Sequence, residues 1–88
     1  MAERETLLEF PCDFPIKAVG RMASGFEVRA LEIVQRHAPD FDAARMRSNA
    51  SRQGNYLAVT FVVRATSREQ LDAIYRELTA CDDLMMVF

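Results

Sequence analysis

Asn55–Cys81, NYLAVTFVVRATSREQLDAIYRELTAC, changes its hydrophobic period once, and the change sets the architecture. Leu57, Val59, Phe61 and Val63 alternate with Tyr56, Ala58, Thr60, Val62 and Arg64, the period of two that a half-buried strand requires. That pattern predicts a strand over 55–65. From Thr66 the period becomes helical. Thr66 or Ser67 can cap, with Glu69 or Gln70 three residues on, and Leu71, Ile74, Tyr75, Leu78 and Cys81 form one stripe. A helix is predicted over 67–81, folding back onto the strand's apolar side.

The chain before this unit repeats the same logic. RQGN (52–55) is a glycine-centred hairpin turn, which pairs the strong strand with a weaker one over 42–51. In that weak strand Arg45, Arg47 and Asn49 alternate with Ala44, Met46, Ser48 and Ala50. Ser24 and Glu27 read as a capping box for a helix over 24–38 that Pro39 ends, with Phe26, Ala30, Ile33, Val34 and His37 on one face. A first strand is predicted over 14–22, Ile16, Ala18 and Gly20 pointing one way and Lys17, Val19 and Arg21 the other. LMMVF (84–88) is a last strand, apolar on both faces. The order βαββαβ with right-handed crossovers gives an α+β ferredoxin-like sandwich: an antiparallel sheet in order 4-1-3-2 with both helices on one side. Residues 14–88 form the single domain. Residues 1–13 form an acidic arm, with Glu3, Glu5, Glu9 and Asp13 against Arg4. Leu7, Leu8 and Phe10 would help that arm dock loosely on a basic sheet face.

Four segments, LLEFPCDFPIKAVG (7–20), IVQRHAP (33–39), GNYLAVTFVVRATSREQLDAIYREL (54–78) and the ending MMVF (85–88), stand in one register. On these residues the chain resembles the YbeD-like family of small bacterial proteins over about 7–88. The resemblance implies an ACT-type ferredoxin-like domain. It transfers no catalytic residue. Because some members are encoded beside lipoate-attachment genes, it also implies a link to lipoate metabolism. The loop RMASGFE (21–27) is not a sharp signature of the family.

Eighty-eight residues, half of them hydrophobic, suit one domain with a modest core. A net charge of −2 gives no global attraction to nucleic acid. Ten of the eleven basic residues are Arg, which favours fixed, bidentate contacts. The N-terminus MAERETLLEF has acids where a secretory signal needs bases, and no apolar run approaches the ~20 residues of a membrane span. A cytoplasmic location without membrane attachment is expected. Cys12 and Cys81 lack metal or redox spacing and read as free thiols. No metal or cofactor is expected.

Three chemistries are poorly matched by the residues present. An RNA-recognition sheet stacks bases on outward aromatics, but the outward rows Lys17, Val19, Arg21 and Tyr56, Ala58, Thr60, Val62, Arg64 hold only Tyr56. An acylphosphatase-like phosphate loop is half matched by Gly25, Phe26, Val28 and Arg29, yet Gly20 stands one residue too far away and no Asn-x-x-Asp-Gly follows. His37, the sole histidine, has no nucleophile or paired carboxylate at fixed spacing, and near a helix C-terminus it reads as structural, bonding a free carbonyl.

What remains is the sheet face turned away from the helices. Lys17, Arg21, Arg45, Arg47 and Arg64 surround Val19, Tyr56, Ala58, Thr60 and Val62 there. The last strand adds either Met85 and Val87 or Leu84, Met86 and Phe88. An apolar strip ringed by Arg has the composition of an interface, which points to a protein partner or a second copy. The expected function is therefore a non-enzymatic regulatory or interaction module. The alternative is a metabolite sensor whose small-molecule ligand sits near Gly20, Ser24, Gly25 and Phe26.

Overall fold

The computed structural model describes residues 9–88. Its elements are β1 (Cys12–Arg21), α1 (Phe26–His37), β2 (Arg47–Ala50), β3 (Tyr56–Ala65), α2 (Arg68–Thr79) and β4 (Leu84–Val87). Single 3-10 turns lie at Met22–Ser24 and Ala43–Arg45. The sheet runs β2-β3-β1-β4 with every neighbouring pair antiparallel, the ferredoxin-like order expected. Most of the acidic arm, including Glu3, Glu5, Leu7 and Leu8, lies outside the described residues, as does its docking.

The alternation in β3 is realised as read: Leu57, Val59, Phe61, Val63 and Ala65 are buried. They meet Ile16 and Ala18 of β1, Phe26, Ala30, Ile33 and Val34 of α1, and Leu71, Ile74 and Leu78 of α2 in one core. Phe41, in the loop after α1, joins that core with its ring edge-to-face on Phe61 at 5.7 Å. Among the described residues the core holds no buried polar or charged residue. Both cysteines are free, Cys81 buried just past α2.

The start of α2 follows the sequence signals. Ser67 Oγ accepts the Gln70 amide at 3.1 Å, and Gln70 Oε1 accepts the Thr66 amide at 2.7 Å. The start of α1 does not. The helix begins at Phe26, with Gly25 in the left-handed region (φ 69°) as its N-cap. Ser24 belongs to the preceding turn: its hydroxyl donates to the Arg21 carbonyl at 2.7 Å and accepts the Phe26 amide at 3.3 Å. The capping box therefore does not close, and Glu27 Oε1 is buried without a hydrogen-bond partner.

Two strands also differ from expectation. Only Arg47–Ala50 joins the sheet, because Asp42 Oδ1 accepts the Ala44 amide at 2.9 Å and turns the preceding residues into a 3-10 coil. In β4, Val19 faces Met86 while Gly20 faces Leu84, so Met85 is the extra residue of a bulge. Leu84 and Val87 pack toward the core, and Met85 and Met86 are both exposed, which neither alternation proposed from the sequence describes.

Candidate functional site: the open sheet face

β1 and β3 pair over their full lengths, Cys12 to Ala65 at one end and Arg21 to Tyr56 at the other. Side chains alternate across a pleated strand, so burying Ile16, Ala18, Val59 and Phe61 sends Lys17, Val19, Ala58 and Thr60 to the opposite face. The register then assembles rows across all four strands. Arg47 lies opposite Thr60, Thr60 opposite Lys17, and Lys17 exchanges both backbone hydrogen bonds with Phe88 at 2.7 and 2.8 Å. The next row is Asn49, Ala58, Val19 and Met86. Arg21 and Tyr56 pair at one end, with Pro15–Val62 and Asp13–Arg64 at the other.

The resulting surface interleaves apolar and basic groups: Lys17 stands in its middle row on the central strand β1, beside the row of Ala58, Val19 and Met86. Tyr56, Val62, Met86 and Phe88 are large exposed hydrophobics on this face, and Met85 adjoins them at the bulge. Lys17, Arg21, Arg45, Arg47 and Arg64 are all exposed. Arg45 lies on the 3-10 turn instead of a strand, yet stays beside the face, lining a cavity with Val62 and Arg47 and another with Asp13, Asp40, Asp42, Val62 and Arg64. Arg64 pairs with Asp13 at 3.4 Å. Among the described residues Lys17, Arg21, Arg45 and Arg47 have no ion pair.

The helical side contrasts sharply. Arg29 pairs with Asp83 at 2.9 Å, and Arg36 and His37 both bond Glu77. His37 thus reaches a carboxylate on α2 through Nε2, not a free backbone carbonyl; its own carbonyl accepts Gln70 Nε2 at 2.8 Å. The His37 hydrogen bond is the main cause that holds the Glu77 carboxyl below the ordinary glutamate range, with Arg36 adding to it against partial desolvation. Asp83, unexplained by its position after a helix, has its role as the partner of Arg29.

The loop between β1 and α1 is largely occupied by its own contacts. A Cβ on Gly20 would meet the Asp83 carbonyl and the Phe26 ring, so this glycine makes room for a buried phenylalanine. Ser24 spends its hydroxyl on the turn. Gly25 faces open space. Beside the loop, Arg21, Ala23, Asn55 and Tyr56 line a cavity of about 280 Å³. Among the described residues no group of His, Cys, Asp or Glu is arranged to hold a metal ion, and no helix is long and apolar enough to cross a membrane.

Comparison with known proteins fits this architecture. Residues 5–88 match the family model described as "Protein of unknown function (DUF493)". The chain belongs to that family. A UPF0250 protein of Ralstonia nicotianae is 53% identical over 77 residues, covering 88% of this chain and 79% of that one. One from Nitrosomonas europaea is 49% identical over 74 residues, covering 84% and 85%. The resemblance to YbeD-like proteins is therefore real. The solution structure of protein HP0495 from H. pylori superimposes with a TM-score of 0.75 over 92% of this chain and 85% of that one. At 10% identity that likeness concerns the fold alone.

Part of the face was beyond the sequence. Met86 and Phe88 stand on it as one of the two alternations for the last strand has them, but the bulge at Met85 turns Leu84 to the core side, and a segment apolar on both sides carries no signal for where a bulge falls. The acids Asp40 and Asp42 beside Arg45 depend on the 3-10 turn, for which Asp42 ahead of a pair of alanines was the available clue.

Proposed function

We propose that this DUF493-family chain is a non-enzymatic regulatory or interaction module that docks a partner protein, or a second copy of itself, on its open sheet face. The carrying observation is the set of apolar groups Val19, Ala58, Val62, Met86 and Phe88 interleaved with Lys17 and flanked by Arg21, Arg45 and Arg47, cations with no ion pair among the described residues. Exposed aromatic, Met and Arg side chains around a low-charge centre are what protein interfaces enrich. A role near lipoate metabolism rests on family resemblance only. The test is association with Arg45 and Arg47 both changed to Glu. Self-association by sedimentation, or capture of one reproducible partner, should be present in the wild type and absent in the variant. Equal association in both would remove the face from consideration.

A second reading has its own observation. The cavity lined by Arg21, Ala23, Asn55 and Tyr56 adjoins the β1–α1 loop, where a metabolite sensor would hold its ligand. Thermal stabilisation by amino acids that is lost in Tyr56→Ala would favour this reading.

A further inference from the structure

We infer that the partner of the open face is an acidic protein segment carrying apolar side chains; this rests on the docking function proposed above. On the helical side Arg29 and Arg36 are neutralised by Asp83 and Glu77, and Arg76 is an exposed cation with no ion pair among the described residues. On the sheet side Lys17, Arg21 and Arg47 stand exposed with no ion pair among the described residues, and Arg45 has Asp40 and Asp42 beside it, although the whole chain carries a net charge of −2. Acids outnumber bases in this sequence, so the bare cations reflect placement and not composition.

Charge also discriminates between the occupants. A second copy docking face to face would set Lys17, Arg21 and Arg47 against the same three cations, while the described acids at this face, Asp13, Asp40 and Asp42, are gathered around Arg45 and Arg64 at one end. Such juxtaposed like charges oppose association. A nucleic acid would satisfy the cations but would leave Val19, Ala58, Val62 and Met86 without apolar partners. Base stacking needs adjacent aromatics, whereas Tyr56 pairs with Arg21 and Phe88 with Lys17, in different rows on strands separated by β1. An acidic polypeptide answers both parts of the surface. Its carboxylates meet the Arg47 and Lys17 positions, and its apolar side chains cover the adjoining row of Ala58, Val19 and Met86 together with Phe88.

Three labelled probes test this in fluorescence anisotropy: a random copolymer of glutamate and tyrosine, polyglutamate of matched length, and a single-stranded oligonucleotide of matched charge. The copolymer should bind at least about tenfold more tightly than either other probe, and more weakly as salt rises. Lys17→Glu with Arg47→Glu should reduce copolymer binding by more than about tenfold. Arg47→Ala, on an exposed edge strand, serves as a milder variant that keeps the fold. Phe88→Ser should weaken the copolymer and leave polyglutamate unchanged. Amide shifts in the labelled protein should centre on residues 17–21, 47, 58–60 and 86–88. Equal binding of the oligonucleotide, no binding of the copolymer, or shifts confined to the helices would overturn the inference. If the copolymer fails while sedimentation shows a dimer sensitive to Arg47, the docking face stands and only the acidic partner falls. If neither responds, both fall.

Discussion

A methyl group on Gly20 would stand 2.7 Å from the Asp83 carbonyl oxygen and 2.7 Å from Cδ1 of Phe26. One obstacle is backbone and the other belongs to a side chain only 1% exposed, so neither yields easily. Gly20→Ala should cost roughly 1–3 kcal/mol as overpacking. Gly25 presents the opposite case: there is space around it, but its φ is +69°. Gly25→Ala should therefore cost about 1 kcal/mol from backbone conformation alone. Denaturant midpoints for the two variants should separate in that order, and equal midpoints would mean that β4 shifts to admit the methyl. The same comparison distinguishes the two faces of β3. Phe61→Ala, fully buried against Phe41, should cost about 3–5 kcal/mol, and Tyr56→Ala on the exposed face much less.

The two helices are tied at both ends by side chains, and the ties make separable predictions. Gln70 accepts from Thr66, donates to the His37 carbonyl and has its amide capped by Ser67, so it finishes α1 and starts α2 together. Gln70→Ala should cost about 1–3 kcal/mol, exceeding Ser67→Ala at about 1 kcal/mol, as measured by chemical denaturation. Glu77 supplies the pH dependence. Its carboxyl titrates below the ordinary glutamate range in the folded state, chiefly through His37. Folding then favours the ionised form, so this stability is complete above the unfolded-state pKa and disappears as pH falls through the folded-state value. Wild type should lose stability on acidification through the carboxylate range more steeply than Glu77→Gln, and parallel curves would refute the coupling. Period and capping residues made the helices readable, since both signals are local. Neither Asp83–Arg29 nor His37–Glu77 was readable, because each joins residues at least 40 positions apart. For β2 the arginine alternation was real, but the Asp42 side chain diverted its first half into a turn.

The sheet as a whole is uneven in a way that no single strand reveals. β2 covers β3 only from Leu57 to Thr60, and β4 with Phe88 covers β1 only from Lys17 to Gly20. Four strands therefore run abreast at one end, while Cys12–Ile16 and Phe61–Ala65 continue as a two-stranded ribbon whose outer edges have no strand neighbour among the described residues. Bare edges recruit other chains. On β1, Lys17 directs its amide at Phe88, and strand parity directs the position of Pro15 to the same side. Proline has no amide hydrogen, so the exposed edge offers no donor at the point where an added strand would first bond. Pro15 guards the edge of a surface that the proposed function requires to be open. Pro15→Thr restores the donor and a strand-favouring side chain while leaving the core residues Ile16 and Phe14 in place. The variant should fold with a helical circular dichroism signal like the wild type and self-associate with rising concentration. That association should persist at high salt, because it rests on backbone hydrogen bonds, whereas binding of an acidic partner to Lys17 and Arg47 should weaken there. Sedimentation of the variant at two ionic strengths reads both properties. A variant as monodisperse as the wild type would show that the edge is protected by something other than the proline.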